Sequence, residues 1–313
     1  MVEFIDADRV RRGLPWPELV EALRIGFARG DVTAPRRHHH ELGPADDPDT
    51  PTMLLMPAWN REFAGVKVAG VFPTNRARGQ DSVQASYLLT SATDGTPLAL
   101  IEGGELTARR TVAASVLAAT YLARAASSRL LIVGAGRIAA NVAEAYSSAF
   151  PIEEILVWNH HPVGAARLAA RLRDDGHQAE ATDDLAAACD RADIVSAATL
   201  ATDPVIRGDW LRPGTHVDLI GGFTPAMREA DDAAVRRSIV YVDTLDGALA
   251  EAGDIVQPLE SGTITEDDIA GDLTGLARGT AAPRTDDDAI TLFKSVGHAL
   301  EDLVAAATLY EAC

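Results

Sequence analysis

At 313 residues and 47% apolar composition, the chain is long enough for one large domain or two of ordinary size around a substantial core. A formal net charge of −18 argues against nucleic acid as a partner, since a phosphate backbone calls for a basic face, and two cysteines, Cys189 and Cys313, make no disulfide framework. No apolar run reaches the roughly 18 residues that span a bilayer, and the opening MVEFIDADRVRRG has acids and arginines where a secretory signal needs an apolar stretch, so a cytoplasmic location and no membrane partner are expected.

The first 120 residues lead with strands. HHH (38–40) sits in an extended segment, where neighbouring side chains face opposite ways and three consecutive histidines do not converge on one ion; no metal is expected. ADDPDTP (45–51) reads as a solvated loop. FAGVKVAGVF (63–72) and ASYLLTSATDGTPLALIEG (85–103) suggest antiparallel strands, the second stretch carrying an Asp94-Gly95 turn signal. An Ala-rich helix follows in TARRTVAASVLAATYLARAA (107–126).

From residue 129 the pattern changes to alternating strands and helices, as in a parallel sheet covered on both faces. RLLIVGAG (129–136), EILVW (154–158), DIVSAAT (193–199), THVDLIGG (215–222) and IVYVDT (239–244) read as strands. Residues 137–149, 163–174 and the runs DDLAAACDRA (183–192) and EADDAAVRRS (229–238) read as helices, with Cys189 as a buried thiol. The end, DDDAITLFKSVGHALEDLVAAATLYEA (286–312), reads as one more helix with an acidic first turn. The fold class is therefore α/β: residues 124–289 form a Rossmann-type parallel domain, inserted into a smaller α+β domain made of 1–123 and 290–313. A cleft between two such domains is a frequent place for substrate.

Gly134-x-Gly136-x-x-Ala139 follows an apolar strand and opens a helix, which is the setting a dinucleotide fingerprint requires. Gly134 permits the tight turn, Gly136 lets backbone approach a pyrophosphate, and the turn through Arg137 and Ile138 presents a helix N-terminus to it. An acidic residue after the next strand would hold both ribose hydroxyls and repel a 2′-phosphate. Here the chain has Asn159, His160 and His161, and Arg137 adds positive character. NADP(H) is thus favoured as cofactor, with NAD(H) as the alternative. Ala198 and Thr199, at the end of a later strand, would line the same groove.

Several further stretches carry a resemblance. GVKVAGVFPTN holds Lys67, GGELTARRTVAASVLAA holds Arg109 and Arg110, and LFKSVGHAL holds Lys294 and Ser295. With GAGRIA, GTHVDLIGGFTPAMRE and VDT…EAGD, their order and spacing resemble the ornithine cyclodeaminase/mu-crystallin family, from about Thr33 to the chain's last helix. The resemblance implies a homodimer whose substrate domains pair their sheets across the interface. It also implies that Arg37, Lys67 and Arg110 clamp the carboxylate of an amino-acid-derived substrate, and that Ser82 and Ser295 meet the cofactor or the reacting end. Guanidinium groups suit that task because they hold a carboxylate by two parallel bonds. Arg36 and Arg109 are expected to point elsewhere.

Members of the family deaminate ornithine, oxidise alanine, reduce ketimines, or bind thyroid hormone with NADPH, so the family alone does not choose a reaction. Cyclodeaminases carry an aspartate after the glycine pair where this chain has Gly221-Gly222-Phe223. A phenyl ring neither accepts a proton nor balances an ammonium, but it can wall an apolar pocket around a cyclic imine. The expectation is NADPH-dependent reduction of a small cyclic imino acid, Δ1-pyrroline-2-carboxylate or Δ1-piperideine-2-carboxylate, to proline or pipecolate. Lys67, its pKa lowered by two arginines, is the candidate proton source. Ornithine cyclodeaminase, alanine dehydrogenase and a non-catalytic NADPH-dependent binder are the alternatives.

Overall fold

The computed structural model describes residues 2–44 and 50–312, leaving out the side chains of Arg76 and Ala77; most of the expected 45–51 loop and Cys313 lie outside the described residues. The chain divides into two compact units, Met1–Arg110 with His298–Cys313, and Thr111–Gly297.

The first unit is built on a six-stranded sheet of β1 (Glu3–Ile5), β2 (His38–Glu41), β3 (Thr52–Trp59), β4 (Phe63–Val71), β5 (Val83–Ser91) and β6 (Pro97–Glu102), in the order β1-β6-β5-β4-β3-β2. Among the described residues of this sheet, only β1–β6 is a parallel pair. Because strand side chains alternate between faces, the register sorts the sheet into two kinds of row. One row runs Ile5–Ile101–Tyr87–Lys67–Met56 and is buried throughout. Its neighbour runs Phe4–Leu100–Leu88–Val66–Pro57 and ends at an exposed Phe4, 60% accessible, beside Leu100 at 39%. Helices Trp16–Arg29 and Ala299–Glu311 pack together, and the second lies on β3, β4 and β5 over the buried row. On β2 the three histidines are exposed, with the His38 and His40 rings edge to face on one side of the strand.

The second unit is an eight-stranded, wholly parallel sheet: β7 (Arg129–Val133), β8 (Glu154–Trp158), β9 (Ala179–Ala181), β10 (Ile194–Ala197), β11 (His216–Leu219), β12 (Ser238–Val242), β13 (Ile269–Asp272) and β14 (Ile290–Lys294). The order is β13-β12-β14-β11-β10-β7-β8-β9, which reverses direction between β7 and β10. This is a doubly wound Rossmann-type sheet, and its ligand crevice belongs outside the carboxyl ends of the strands at that reversal. Cys189 is fully buried in helix Leu185–Arg191, and burial pushes its thiol up to about 12. Among the described residues no helix is long and apolar enough to cross a membrane.

The largest correction concerns the end of the chain. The expected single helix over 286–312 is a turn at 287–288, the strand β14, and a helix beginning at Ala299. Ile290–Lys294 is buried at every position and pairs with both β11 and β12, so 290–297 belong with the parallel sheet rather than with the first domain. A fully buried strand shows no alternation to betray it, and the isoleucine, threonine and phenylalanine of ITLFK are good strand formers. Gly297, at φ +82°, then separates strand from helix, in a conformation that side-chain-bearing residues avoid.

Candidate active site

In the first unit the alternation of β4 drives Lys67 inward between two apolar partners, Met56 and Tyr87. A lysine on that row requires an anionic partner, and helix Ala299–Glu311 brings two. Lys67 Nζ lies 2.9 Å and 2.8 Å from the two Asp302 oxygens, and Arg110 Nε donates to Asp302 Oδ1 at 2.8 Å. Arg110 Nη1 donates to Glu301 Oε2 at 2.6 Å. All four side chains are buried. Arg109, by contrast, turns to the Leu14 carbonyl and stacks on the Trp16 ring, as helix geometry demands of a neighbour of Arg110.

Burial holds the Lys67 ammonium down to about 8, and Arg110 pushes it the same way; Asp302 opposes them, and Arg37 adds a smaller lowering. Loss of solvation, rather than the two arginines expected from the sequence, is therefore the chief cause. Burial works against the charges of Arg110 and Asp302 as well, but each is more than compensated by its partners, so the guanidinium is raised and the carboxylate lowered. The result is a lysine that holds a proton at neutral pH and can release it within the same range. Tyr87, its neighbour in register, is pushed well above its ordinary value by burial and by Asp302. Arg37 is half-buried just before β2, and Ser82 is half-buried just before β5, its carbonyl accepting from the Phe72 amide.

Glu301 and Asp302 do not figure among the residues expected from the sequence. Their signal is an exception to a pattern: Asp302 falls on the same helical stripe as Ala299, Ala305, Ala306 and Leu309, all buried. A charge at such a position implies a buried partner.

In the second unit the glycine turn has the expected form. Gly134 has φ +119°, and a Cβ there would sit 2.6 Å from the Ala198 carbonyl, so the ends of β7 and β10 touch only because the residue is glycine. Gly136 is exposed, with open space on its Cβ side. Helix Ala139–Ser147 starts with no side-chain cap at Ile138. Open backbone at an uncapped helix N-terminus, at the sheet's reversal point, fits the pyrophosphate of a dinucleotide. Arg137 is exposed and Ile138 half-buried.

At the end of β8, Asn159 is half-buried and His160 exposed. Asn159 Nδ2 donates to the His161 carbonyl at 2.9 Å, and Gly164 leaves room for it: a Cβ there would lie 2.7 Å from that nitrogen. The amide thus has a local role, because an aspartate here would turn a negative oxygen toward the carbonyl.

The ends of β10 and β11 are held together by Glu229. Its Oε1 accepts from Thr199 N at 2.7 Å and Thr199 Oγ1 at 2.9 Å, and its Oε2 from Gly221 N at 2.6 Å. Asp254 Oδ1 accepts from the Glu229 and Ala230 amides at 2.8 and 3.0 Å. Lys294 Nζ, fully buried on β14, forms ion pairs at 3.0 Å with Asp254 Oδ2 and at 3.9 Å with Glu229 Oε2. Burial pushes the Glu229 carboxyl above its ordinary value, against the pull of Lys294 and with the help of Asp254. A Cβ on Gly222 would lie 2.9 Å from Asp254 Oδ2 and 3.3 Å from Lys294 Nζ, which accounts for the second glycine of the pair. Phe223 follows, half-buried in the loop after β11. Ser295 is buried, its hydroxyl 3.3 Å from Asp243 Oδ2, an oxygen that also accepts from the Val296 and Gly297 amides.

The sequence profile of the ornithine cyclodeaminase/mu-crystallin family matches residues 17–313. A Δ1-pyrroline-2-carboxylate reductase from Paracoccus denitrificans is 43% identical over 310 residues, covering 97% of this chain and 95% of its own. Among solved structures, Thermococcus litoralis Δ1-pyrroline-2-carboxylate reductase in complex with NADH and L-proline has a TM-score of 0.94 at 34% identity, over 99% of this chain and 97% of its own. An archaeal alanine dehydrogenase dimer with bound NAD has a TM-score of 0.91 at 27% identity, over 99% and 95%. With matches of this extent over both units, the chain belongs to the ornithine cyclodeaminase/mu-crystallin family.

Proposed function

We propose that this protein is a cytoplasmic, NADPH-dependent reductase of cyclic imine carboxylates, converting Δ1-pyrroline-2-carboxylate or Δ1-piperideine-2-carboxylate to proline or pipecolate. The observation that carries the proposal is the buried Lys67, held at about 8 beside Arg110 and Asp302, in a chain that has Phe223 rather than an acid after its glycine pair. The relatives named as pyrroline-2-carboxylate reductases support the same reading.

Arg110 and Arg37 hold the substrate carboxylate. Asp302 and Glu301 take Arg110 Nε and Nη1, which fixes the plane of the guanidinium before substrate arrives. Lys67, protonated at neutral pH, donates its proton to the imine nitrogen, and the cofactor supplies a hydride to the imine carbon. The C=N bond becomes CH–NH with both electrons from that hydride, and Lys67 regains a proton from solvent. Phe223 walls the pocket around the ring without offering a base, so no amine is expelled. Ser82 and Ser295 are assigned to the cofactor or the reacting end, and Gly134, Gly136, Arg137, Ile138, Asn159, His160, Ala198 and Thr199 to the cofactor groove. Absence of an acid at Asn159 supports NADPH over NADH, although the local bond of the Asn159 amide accounts for that residue equally.

The protein acts as a homodimer in this proposal. Support comes from the apolar sheet face away from Lys67, where Phe4, Leu100 and Val68 are exposed and Leu88 and Val66 are half-buried beside them. A spectrophotometric screen of five- and six-membered cyclic imine carboxylates, with NADPH and NADH side by side, tests the function. Oxidation of NADPH in preference to NADH is the expected result. Tight NADPH binding with no turnover of either ring would instead make the protein a ligand binder.

A further inference from the structure

The polar network around Glu229 lies in the second unit, and the Glu229 carboxylate itself has no role in the proposed chemistry. Three donors from two different strand ends converge on this one carboxylate at 2.6–2.9 Å, in a fully buried position. Its own main chain is fixed in turn, since Asp254 takes its amide and its carbonyl accepts from both Val205 and Ile206. Gly221 comes so close to Thr199 that a Cβ would fall 1.8 Å from the Thr199 carbonyl. An ordinary pair of neighbouring parallel strands separates beyond its last ladder bond; here the backbones stay clamped past it.

The position of the clamp gives it a role. In a doubly wound sheet the pyrophosphate sits at the reversal point, here between β7 and β10, and the dinucleotide's two halves extend to either side. By that rule the adenosine half of a bound dinucleotide would lie toward the end of β8, where Asn159 is, and the nicotinamide half over the ends of β10 and β11, at Thr199 and the Gly221–Phe223 loop. We propose that Glu229 is a positioning residue for the nicotinamide half: by stapling Thr199 to Gly221 it sets the floor on which that half lies and the direction in which Phe223 is presented. The inference rests on the reading that this protein uses a nicotinamide dinucleotide.

Glu229→Gln tests it with little change in volume. The carboxamide oxygen can still accept from Thr199, but its NH2 then meets the Gly221 N–H donor to donor, with the Lys294 ammonium nearby. The measurement is binding to the purified full-length protein by fluorescence or calorimetry, with NADPH and with 2′,5′-ADP, which carries only the adenosine half. The expected result is a loss of NADPH affinity of at least about tenfold, with 2′,5′-ADP affinity kept within about twofold. Equal losses for both ligands, or no loss for either, would overturn the proposal. Should Glu229→Gln fail to fold, Thr199→Val removes one of the three donors and keeps the branched shape. It is expected to weaken NADPH by about three- to fivefold and to leave 2′,5′-ADP unchanged; an unaltered NADPH affinity would count against the staple. A wild-type protein that binds neither NADPH nor NADH would instead sink the cofactor reading itself.

Discussion

Replacing Asp302 by asparagine removes one negative charge from the middle of the buried quartet while nearly preserving its shape. The carboxylate stands 2.8–2.9 Å from Lys67 Nζ and 2.8 Å from Arg110 Nε. At an effective dielectric of about 20, unit charges about 2.9 Å apart attract by roughly 6 kcal/mol, an upper bound on what Lys67 loses. One pKa unit corresponds to about 1.4 kcal/mol, so losing even a quarter of that attraction lowers Lys67 by about one unit. Starting from about 8, the variant's lysine is then substantially neutral near pH 7.5. The assay is kcat against pH with saturating NADPH and cyclic imine. If Lys67 donates the proton, wild-type kcat falls as pH rises through its pKa in the complex. In Asp302→Asn the fall comes at least about one unit lower, because a bound substrate carboxylate raises both lysines alike. Removing one partner of a buried ion pair also costs about 3–5 kcal/mol, so Tm drops and the profiles are compared well below it. Coincident profiles would refute the assignment of the proton to a Lys67 governed by Asp302.

Three more outcomes follow from the same geometry. Lys67→Met should lower kcat by about a hundredfold or more, the usual size of a lost general acid, with NADPH affinity unchanged by fluorescence titration. Lys67 should also shape stability at high pH. Its folded pKa of about 8 lies below its ordinary 10.5, so the unfolded chain holds more protons between those values. Wild-type stability therefore gains on Lys67→Met as pH rises through that window, by on the order of 3 kcal/mol, and loses the gain as pH falls through 8; denaturant melts at pH 7.5 and 10 check this. Asn159→Asp should cut the NADPH-to-NADH ratio of kcat/KM by about tenfold or more, since a carboxylate repels a 2′-phosphate. A ratio that stays put would mean that Asn159 serves only the local bond to His161.

How much of this was legible in the sequence depended on how each feature announces itself. Strands β7, β8, β10, β11 and β12 are apolar runs that end in turns, and the pattern picks them out. Strands β9 and β13 are three and four residues long at the two edges of the sheet, too short to show a period. β14 reads as part of the final helix because a buried strand and a buried helix look alike over five residues. Lys67 and Arg110 could be named from motifs, but the two acids that hold them could not, for contacts between distant stretches leave no spacing to read. Asp302 left a trace as a charge in an apolar helical stripe. Glu229, Asp254 and Lys294 left less: each lies in a recognisable motif, and only the fold brings them together.

The proposed reaction delivers hydride to an existing C=N bond and releases no ammonia. A direct test uses NADPH carrying deuterium at both positions of nicotinamide C4, with Δ1-pyrroline-2-carboxylate as substrate, and mass and NMR analysis of the product. The expected product is proline with a single deuterium at the ring carbon bearing the carboxylate. Unlabelled proline, or ammonia evolved from ornithine with NAD while the cyclic imine stays untouched, would contradict it.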